Sequence, residues 1–216
     1  IYLINVTIEH DTQKETLHKS FFTMLSINFK NKESIFLNSS TFIESFAHSV
    51  WVAAILLIYI QVFLKVETFW FGMINATFFL GLIFAGIMVN FKDSFFQKRT
   101  IFFVIYLPIF IGILNISFGL HKYIYIALVF SFIFGLLDEI RSIILHSVIQ
   151  LKLTNTQLTN TYILNNMVYS FSFSISTLLI SYIVDYSSVQ FAFFIGGLAY
   201  FLVFVLGLIF HRVSSV

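Results

Sequence analysis

Six continuous apolar stretches constrain this chain more than any other feature of its sequence. They occupy residues 36–64, 68–90, 101–120, 123–147, 159–184 and 188–210. A helix needs about 20 apolar residues to cross the hydrocarbon core of a bilayer, and each stretch satisfies that need. The runs do not alternate between apolar and polar residues, which excludes the strands of a membrane barrel. We therefore predict an all-α membrane protein with six transmembrane helices, called spans one to six below.

Composition agrees with a membrane protein and narrows the chemistry. Hydrophobic residues make up 59% of the 216 residues, which is more than a soluble core can hide from water. There is no cysteine, no His-Glu-x-x-His or Gly-x-Ser-x-Gly motif, and no aspartate-rich cluster, so we expect no metal, no cofactor and no enzyme. The net charge of +2 is too small to indicate a nucleic-acid partner.

The basic residues predict an orientation in the cytoplasmic (inner) membrane. If both termini are cytoplasmic, only Lys65 and Lys122 lie on the outer side, in agreement with the positive-inside rule. Residues 1–35 would then form a cytoplasmic linker, either an amphipathic surface helix or a plain connector. Residues 36–216 would form the six-helix transmembrane unit. Since the first residue is Ile rather than Met, we expect a fragment of a longer protein.

Ionisable side chains occur inside two of the spans. Glu44 and His48 lie one helical turn apart in span one, and Asp138, Glu139 and Arg141 cluster in span four. A charge at the centre of a membrane helix costs at least about 2.5–3.5 kcal/mol. Arg141 is three residues from Asp138 and is expected to pair with it, whereas the two glutamates have no partner in sequence. The cluster is either a structural salt bridge or the lining of an aqueous path that supports proton coupling.

Polar residues are distributed unevenly among the remaining spans. In span five, Thr161, Asn165, Tyr169, Ser172 and Ser176 recur on one helical face. Such a face either packs against other helices or lines a watery space, and we predict the last four as cavity-lining residues. Spans three and six carry few polar groups and are expected on the periphery.

Several stretches resemble the carboxy-terminal six-helix half of a major facilitator superfamily transporter. The segment "GIMVNFKDSFFQKR" (86–99) resembles the basic cytoplasmic loop after the second helix of a half, with Gly86, Lys98 and Arg99 in place but Asn90 where the family has Asp. The segments at 141–168 and 180–203 resemble the last helices of bacterial drug-efflux members, the macrolide-efflux type in particular. The resemblance implies two three-helix inverted repeats, with spans one and four lining a central cavity.

The resemblance also implies a function and a set of partners. It indicates a secondary transporter, here an antiporter that couples protons to the export of small, partly apolar molecules. The implied partners are the lipid bilayer, the missing amino-terminal six-helix half, a small-molecule substrate and protons. An importer, a lipid flippase and a truncated inactive half share the same sequence features. A six-helix membrane enzyme is a further alternative, for which the sequence contains no motif.

Overall fold

A computed structural model describes residues 22, 24–26 and 28–214 of the chain. Most of the predicted linker, residues 1–21, 23 and 27, lies outside the described residues, so the amphipathic helix stays a prediction. All regular structure in the described part is helical. The helices are α1 (Lys32–Ser49), α2 (Ala53–Ile58), α3 (Phe69–Phe91), α4 (Asp93–Lys98), α5 (Leu107–Leu120), α6 (Ile124–Lys152), α7 (Asn155–Tyr186) and α8 (Val189–Ser214).

The observed helices confirm an all-α membrane protein. Five helical stretches in the described part are long and apolar enough to cross a bilayer, namely Lys32–Phe63, Phe69–Phe91, Phe102–Leu120, Asn155–Tyr186 and Val189–Arg212. They correspond to the predicted spans one, two, three, five and six. Helix α6 corresponds to span four and has 29 residues, but Asp138, Glu139 and Arg141 lie within four positions near its middle. Its crossing of the membrane stays a prediction.

The helices pack in pairs that follow a simple rule. Span one packs against spans five and six, span four packs against spans two and three, and spans three and six pack against each other. These main pairs are unchanged when spans one, two and three are exchanged with spans four, five and six, although a weaker contact between spans five and six has no counterpart of similar size between spans two and three in the described part. Such an invariance is what two three-helix repeats related by a two-fold axis would produce.

Helices α3 and α6 approach closely at two glycines. A Cβ on Gly81 would lie 2.8 Å from the backbone nitrogen of Leu136, and a Cβ on Gly135 would lie 3.1 Å from Cδ2 of Phe78. Small residues allow membrane helices to pack backbone against backbone, where dispersion and short contacts stabilise the pair. These two glycines therefore allow the backbones of span two and span four to lie in direct contact.

Span one is broken in the middle, which the apolar pattern did not predict. Helix α1 ends at Ser49, Val52 is extended with φ −62° and ψ 143°, and α2 then begins at Ala53. No Gly or Pro occurs at the break, so tertiary contacts must favour it. The indole of Trp51 supplies them: its Nε1 donates to Oδ1 of Asn115 at 3.1 Å, and its ring stacks on Phe134 with centroids 4.5 Å apart.

A five-residue π-helix, Phe102–Tyr106, opens span three and leads directly into α5. Pro108 therefore falls in the first turn of α5, where its missing N–H costs little, rather than in the middle of a regular helix. A second π-helix, Tyr59–Phe63, ends span one. Single π-turns in longer helices are frequent at functional sites, because they release a backbone carbonyl from the regular ladder.

Candidate functional site

An ion pair between spans one and four forms the centre of the candidate site. The Arg141 guanidinium on α6 contacts the Glu44 carboxylate on α1 through Nη1 and Oε1. Arg141 is 2% exposed, and its Nε also donates to the carbonyl of Val104, at 3.3 Å, in the π-helix of span three. The expected pair between Arg141 and Asp138 is therefore wrong. The expectation that Glu44 has no partner is wrong as well, because helix packing brings in a residue that is distant in sequence.

Asp138 is bound by two other residues instead. Its Oδ1 accepts a hydrogen bond of 2.8 Å from the Tyr200 hydroxyl, and its Oδ2 lies 3.4 Å from Nε2 of His48. The Tyr200 hydroxyl also lies 3.2 Å from the same His48 nitrogen. Each of the three groups thus contacts the other two, across α1, α6 and α8. Within the bundle, this triangle and the Glu44–Arg141 pair form one polar cluster that joins spans one, four and six.

Glu139, the fifth predicted charge, lies outside this cluster. Its side chain is half-buried and makes no ion pair with any residue that the structure describes. The neighbouring residue, Asp138, points to His48 and Tyr200, because successive side chains on a helix are about 100° apart. The structure thus brings together Glu44, His48, Asp138 and Arg141 and leaves Glu139 apart.

The polar face of α7 packs mainly against α1. Asn165 Nδ2 donates to Oγ1 of Thr41 at 2.7 Å, and the Ser172 hydroxyl lies 2.7 Å from that of Ser45. Ser176 is fully buried. Of the four residues predicted to line a cavity, these three therefore lie at or beside a helix–helix interface. Tyr169, with 40% of its surface exposed, is the one that lines a cavity.

That cavity has a volume of about 270 Å³ and adjoins the polar cluster. Its lining residues come from spans one, two, four and five and are His48, Trp51, Val52, Phe78, Phe134, Asp138, Tyr169 and Phe173. The His48 and Asp138 side chains remain 30% and 19% exposed, so both reach this space. The cluster is therefore accessible to a small molecule or water at these two residues, whereas Arg141 is sealed off.

The basic loop after span two forms the short helix α4. Lys98 ends this helix and is exposed, and the Arg99 guanidinium lies 4.6 Å from the centroid of the Phe95 ring. A Cβ on Gly86 would meet no atom within 4 Å, so no close packing requires a glycine there. Neither Lys98 nor Arg99 is among the ion-pair and hydrogen-bond partners of the polar cluster, and both stay predictions as functional residues.

Sequence reasoning missed two residues of the site. Tyr200 occurs in an apolar span that was expected to face lipid, yet it is fully buried and binds Asp138 and His48. Asn115 in span three was likewise overlooked, although it is fully buried and accepts the Trp51 hydrogen bond. A lone polar side chain in an apolar span could have indicated both residues. An unpaired polar group is costly in lipid, so such a side chain is expected to have a partner within the bundle.

Comparison with known proteins yields two curated relatives. The chain is 23% identical to the uncharacterized MFS-type transporter YfmI of Bacillus subtilis (strain 168) over 186 residues, which are 86% of this chain and 46% of the relative. It is 20% identical to the uncharacterized MFS-type transporter YjbB of the same organism over 166 residues, or 77% of this chain and 41% of the relative. The chain thus spans less than half the length of these relatives.

No family model matches the chain, and no solved structure gives a significant match. Both curated relatives are named as MFS-type transporters. The apolar helices of the described part support a multi-pass membrane protein. Over most of its length the chain is therefore similar to proteins that are named as MFS-type transporters.

Proposed function

We propose that the chain is one six-helix half of a proton-coupled transporter that exports small, partly apolar molecules across the cytoplasmic membrane. In this proposal α6 also crosses the membrane, as span four, so that six helices span the bilayer. Both ends of the chain are cytoplasmic, and a second six-helix half completes the substrate cavity. The observation that carries it is the polar cluster of Glu44, Arg141, His48, Asp138 and Tyr200 beside a cavity in an otherwise apolar bundle.

The helix pairing supports the architectural part of the proposal. A pattern that survives exchange of the two three-helix sets is expected of inverted repeats. Of the five helical stretches that are apolar enough to cross a bilayer, spans two and five (α3 and α7) are the least buried. Only 17% of the residues in the most apolar segment of each are buried within the bundle. Uncovered helices on either side of the cavity are suitable surfaces for a second half.

The chemistry of the cluster supports proton coupling. Charged side chains within membrane helices are expensive, and in transporters they line ion or proton pathways. Protonation of Glu44 would remove its attraction for Arg141 and release the guanidinium toward Asp138, its neighbour one turn earlier on α6. Such an exchange would alter the contact between spans one and four. The states with Glu44 ionised and with Glu44 protonated would differ in the contacts between helices. Proton binding would therefore be coupled to the side of the membrane from which the substrate reaches the cavity.

Everted membrane vesicles test this function directly. Vesicles from cells that express the full-length protein are energised by respiration, and the accumulation of a panel of fluorescent apolar dyes is followed with and without a protonophore. We expect dye accumulation that the protonophore abolishes, and loss of that accumulation in Glu44→Gln with dye binding retained. Glu139→Gln tests the remaining predicted carboxylate by the same assay.

A matched control distinguishes the loss of a carboxylate within the polar cluster from the loss of any carboxylate. Asp185→Asn removes an exposed carboxylate at the end of α7 that is not part of the polar cluster, and this variant should transport normally. Accumulation that is insensitive to the protonophore, or unchanged pH dependence in Glu44→Gln and Glu139→Gln together, would contradict proton coupling. Uptake only in right-side-out vesicles would contradict export and favour an importer.

A further inference from the structure

The walls of the cavity combine aromatic rings with one carboxylate. Five of its eight lining residues are aromatic rings of Trp, Phe or Tyr, from Trp51, Phe78, Phe134, Tyr169 and Phe173. Trp51 stacks on Phe78 and on Phe134, with centroids 5.9 and 4.5 Å apart, and the Phe78 and Phe134 rings are tilted against each other at 6.1 Å. Tyr169 and Phe173 stack at 5.4 Å on α7. Aromatic faces carry partial negative charge and attract cations within about 6 Å of the ring centroid.

The formal charge in the cavity is negative, like the partial charge on the aromatic faces. Among the described residues that line the cavity, Asp138 is the only one with a formal charge, and its side chain is partly exposed there. No Lys or Arg in the described part of the chain lines the cavity, since Arg141 is buried against Glu44 and the Val104 carbonyl. The groups bound to Asp138 are His48 from α1 and Tyr200 from α8, both of which are uncharged unless His48 takes up a proton. The nearby Arg141 also acts on Asp138, but its charge is paired with that of Glu44. The cavity therefore favours a cation and disfavours an anion.

We propose that this cavity binds small monovalent organic cations of the aryl- or alkylammonium class, with Asp138 as counter-ion and the aromatic walls around the cationic group. This names a substrate class for the proposed transport function and rests on that function for its biological role. A volume of about 270 Å³ lies just below the usual range for drug-sized pockets, so the ligand is small. Quaternary ammonium groups suit such a site, since they are weakly hydrated and bind aromatic cages.

Calorimetric binding to the purified full-length protein in detergent tests the site without any transport. The probe is phenyltrimethylammonium, and its uncharged isostere tert-butylbenzene serves as the ligand control. We expect phenyltrimethylammonium to bind and Asp138→Asn to weaken it by about tenfold or more, because a nearby counter-charge is lost. The isostere should bind no more strongly to wild type than to Asp138→Asn.

Two substitutions at Tyr169 keep the proposal testable if Asp138→Asn fails to fold. Tyr169 is partly exposed, so its replacement is expected to be tolerated. Tyr169→Phe retains the ring and should bind the probe within about twofold of wild type, whereas Tyr169→Leu should weaken it roughly threefold to tenfold. Asp185→Asn, the same chemical change at an exposed position outside the cavity lining, should leave binding unchanged.

The outcomes separate this site from the proposed function. Equal binding of the ammonium ion and its isostere, or equal binding to the Tyr169→Phe and Tyr169→Leu variants, would overturn the cation site. Binding that depends on Asp138 and Tyr169 supports the site even if everted vesicles show no proton-driven transport. Proton-driven dye accumulation without any ammonium binding would retain the transport function and reject this substrate class.

Discussion

Arg141 on α6 forms its ion pair with Glu44 on α1, although Asp138 lies only one turn away on its own helix. Asp138 is held by Tyr200 and His48 instead, so the two carboxylates of the cluster have different partners. Each ion pair therefore crosses from one span to another. The cluster connects helices that belong to different three-helix sets, and its charges contribute to helix packing as well as to any pathway.

The partner choice of Arg141 can be tested by rescue. Arg141→Met alone should strand the buried Glu44 carboxylate and lower stability by about 3–5 kcal/mol, the usual cost of breaking a buried pair. Adding Glu44→Met should restore much of the loss, because neither charge then remains unpaired. The measurement is thermal unfolding in detergent, together with the yield of folded protein. Rescue by Asp138→Asn instead of Glu44→Met would show that Asp138 is the true partner.

Close packing of spans two and four predicts opposite effects of the same substitution at two glycines of α3. Gly81→Ala should destabilise the protein by about 1–3 kcal/mol, since its Cβ would press on the α6 backbone. Gly86→Ala adds its methyl group to open space and should be neutral or stabilise by up to about 1 kcal/mol through helix propensity. Thermal unfolding of the two variants checks this. Equal shifts would contradict backbone contact at Gly81.

The polar face of α7 predicts a modest effect on stability. Ser172→Ala removes the hydrogen bond to Ser45 on α1 and should cost about 0.6 kcal/mol, the average for hydrogen bonds between membrane helices. Ser174→Ala is the control, because the Ser174 hydroxyl is exposed and bonds only to the Ser170 carbonyl of its own helix. A larger loss from Ser174→Ala than from Ser172→Ala in thermal unfolding would argue against α1–α7 packing through this face.

The contact between His48 and Asp138 predicts the pH dependence of cation binding. Imidazole titrates between about pH 5 and 8, and a protonated His48 would neutralise the carboxylate that the ammonium ion needs. The other charged or titratable groups around His48 are Arg141, Tyr200, Glu44 and Tyr169, from its own and the packed helices. Phenyltrimethylammonium should therefore bind more weakly as pH falls through this range.

His48→Gln provides the control for this dependence. The amide can occupy a similar volume and donate to Asp138, but it does not titrate, so the pH dependence of calorimetric affinity should flatten. Binding to wild type that is independent of pH from 5 to 8, or an unchanged pH profile in His48→Gln, would remove His48 from the explanation.

Apolar patterning alone was enough to predict the fold class and most helix positions. Span two was expected at 68–90 and is observed as Phe69–Phe91. A segment in lipid must make its backbone hydrogen bonds internally, so a continuous apolar run predicts a helix of about the same extent. The residue types of the site were also visible, since charges within apolar runs are rare. Neither the break at Val50–Val52 nor the π-helix before Pro108 could be predicted, because both depend on contacts with other helices.

The sequence by itself determined that this chain is a bundle of membrane helices with ionisable groups on spans one and four. Only the tertiary structure decided which of those groups meet. Spacing along one helix favoured a pair between Arg141 and Asp138, yet the packing of α1 against α6 and α8 supplies Glu44 to the arginine and Tyr200 and His48 to the aspartate. Helical periodicity determines which residues share a face, whereas the partner across that face depends on how the helices pack.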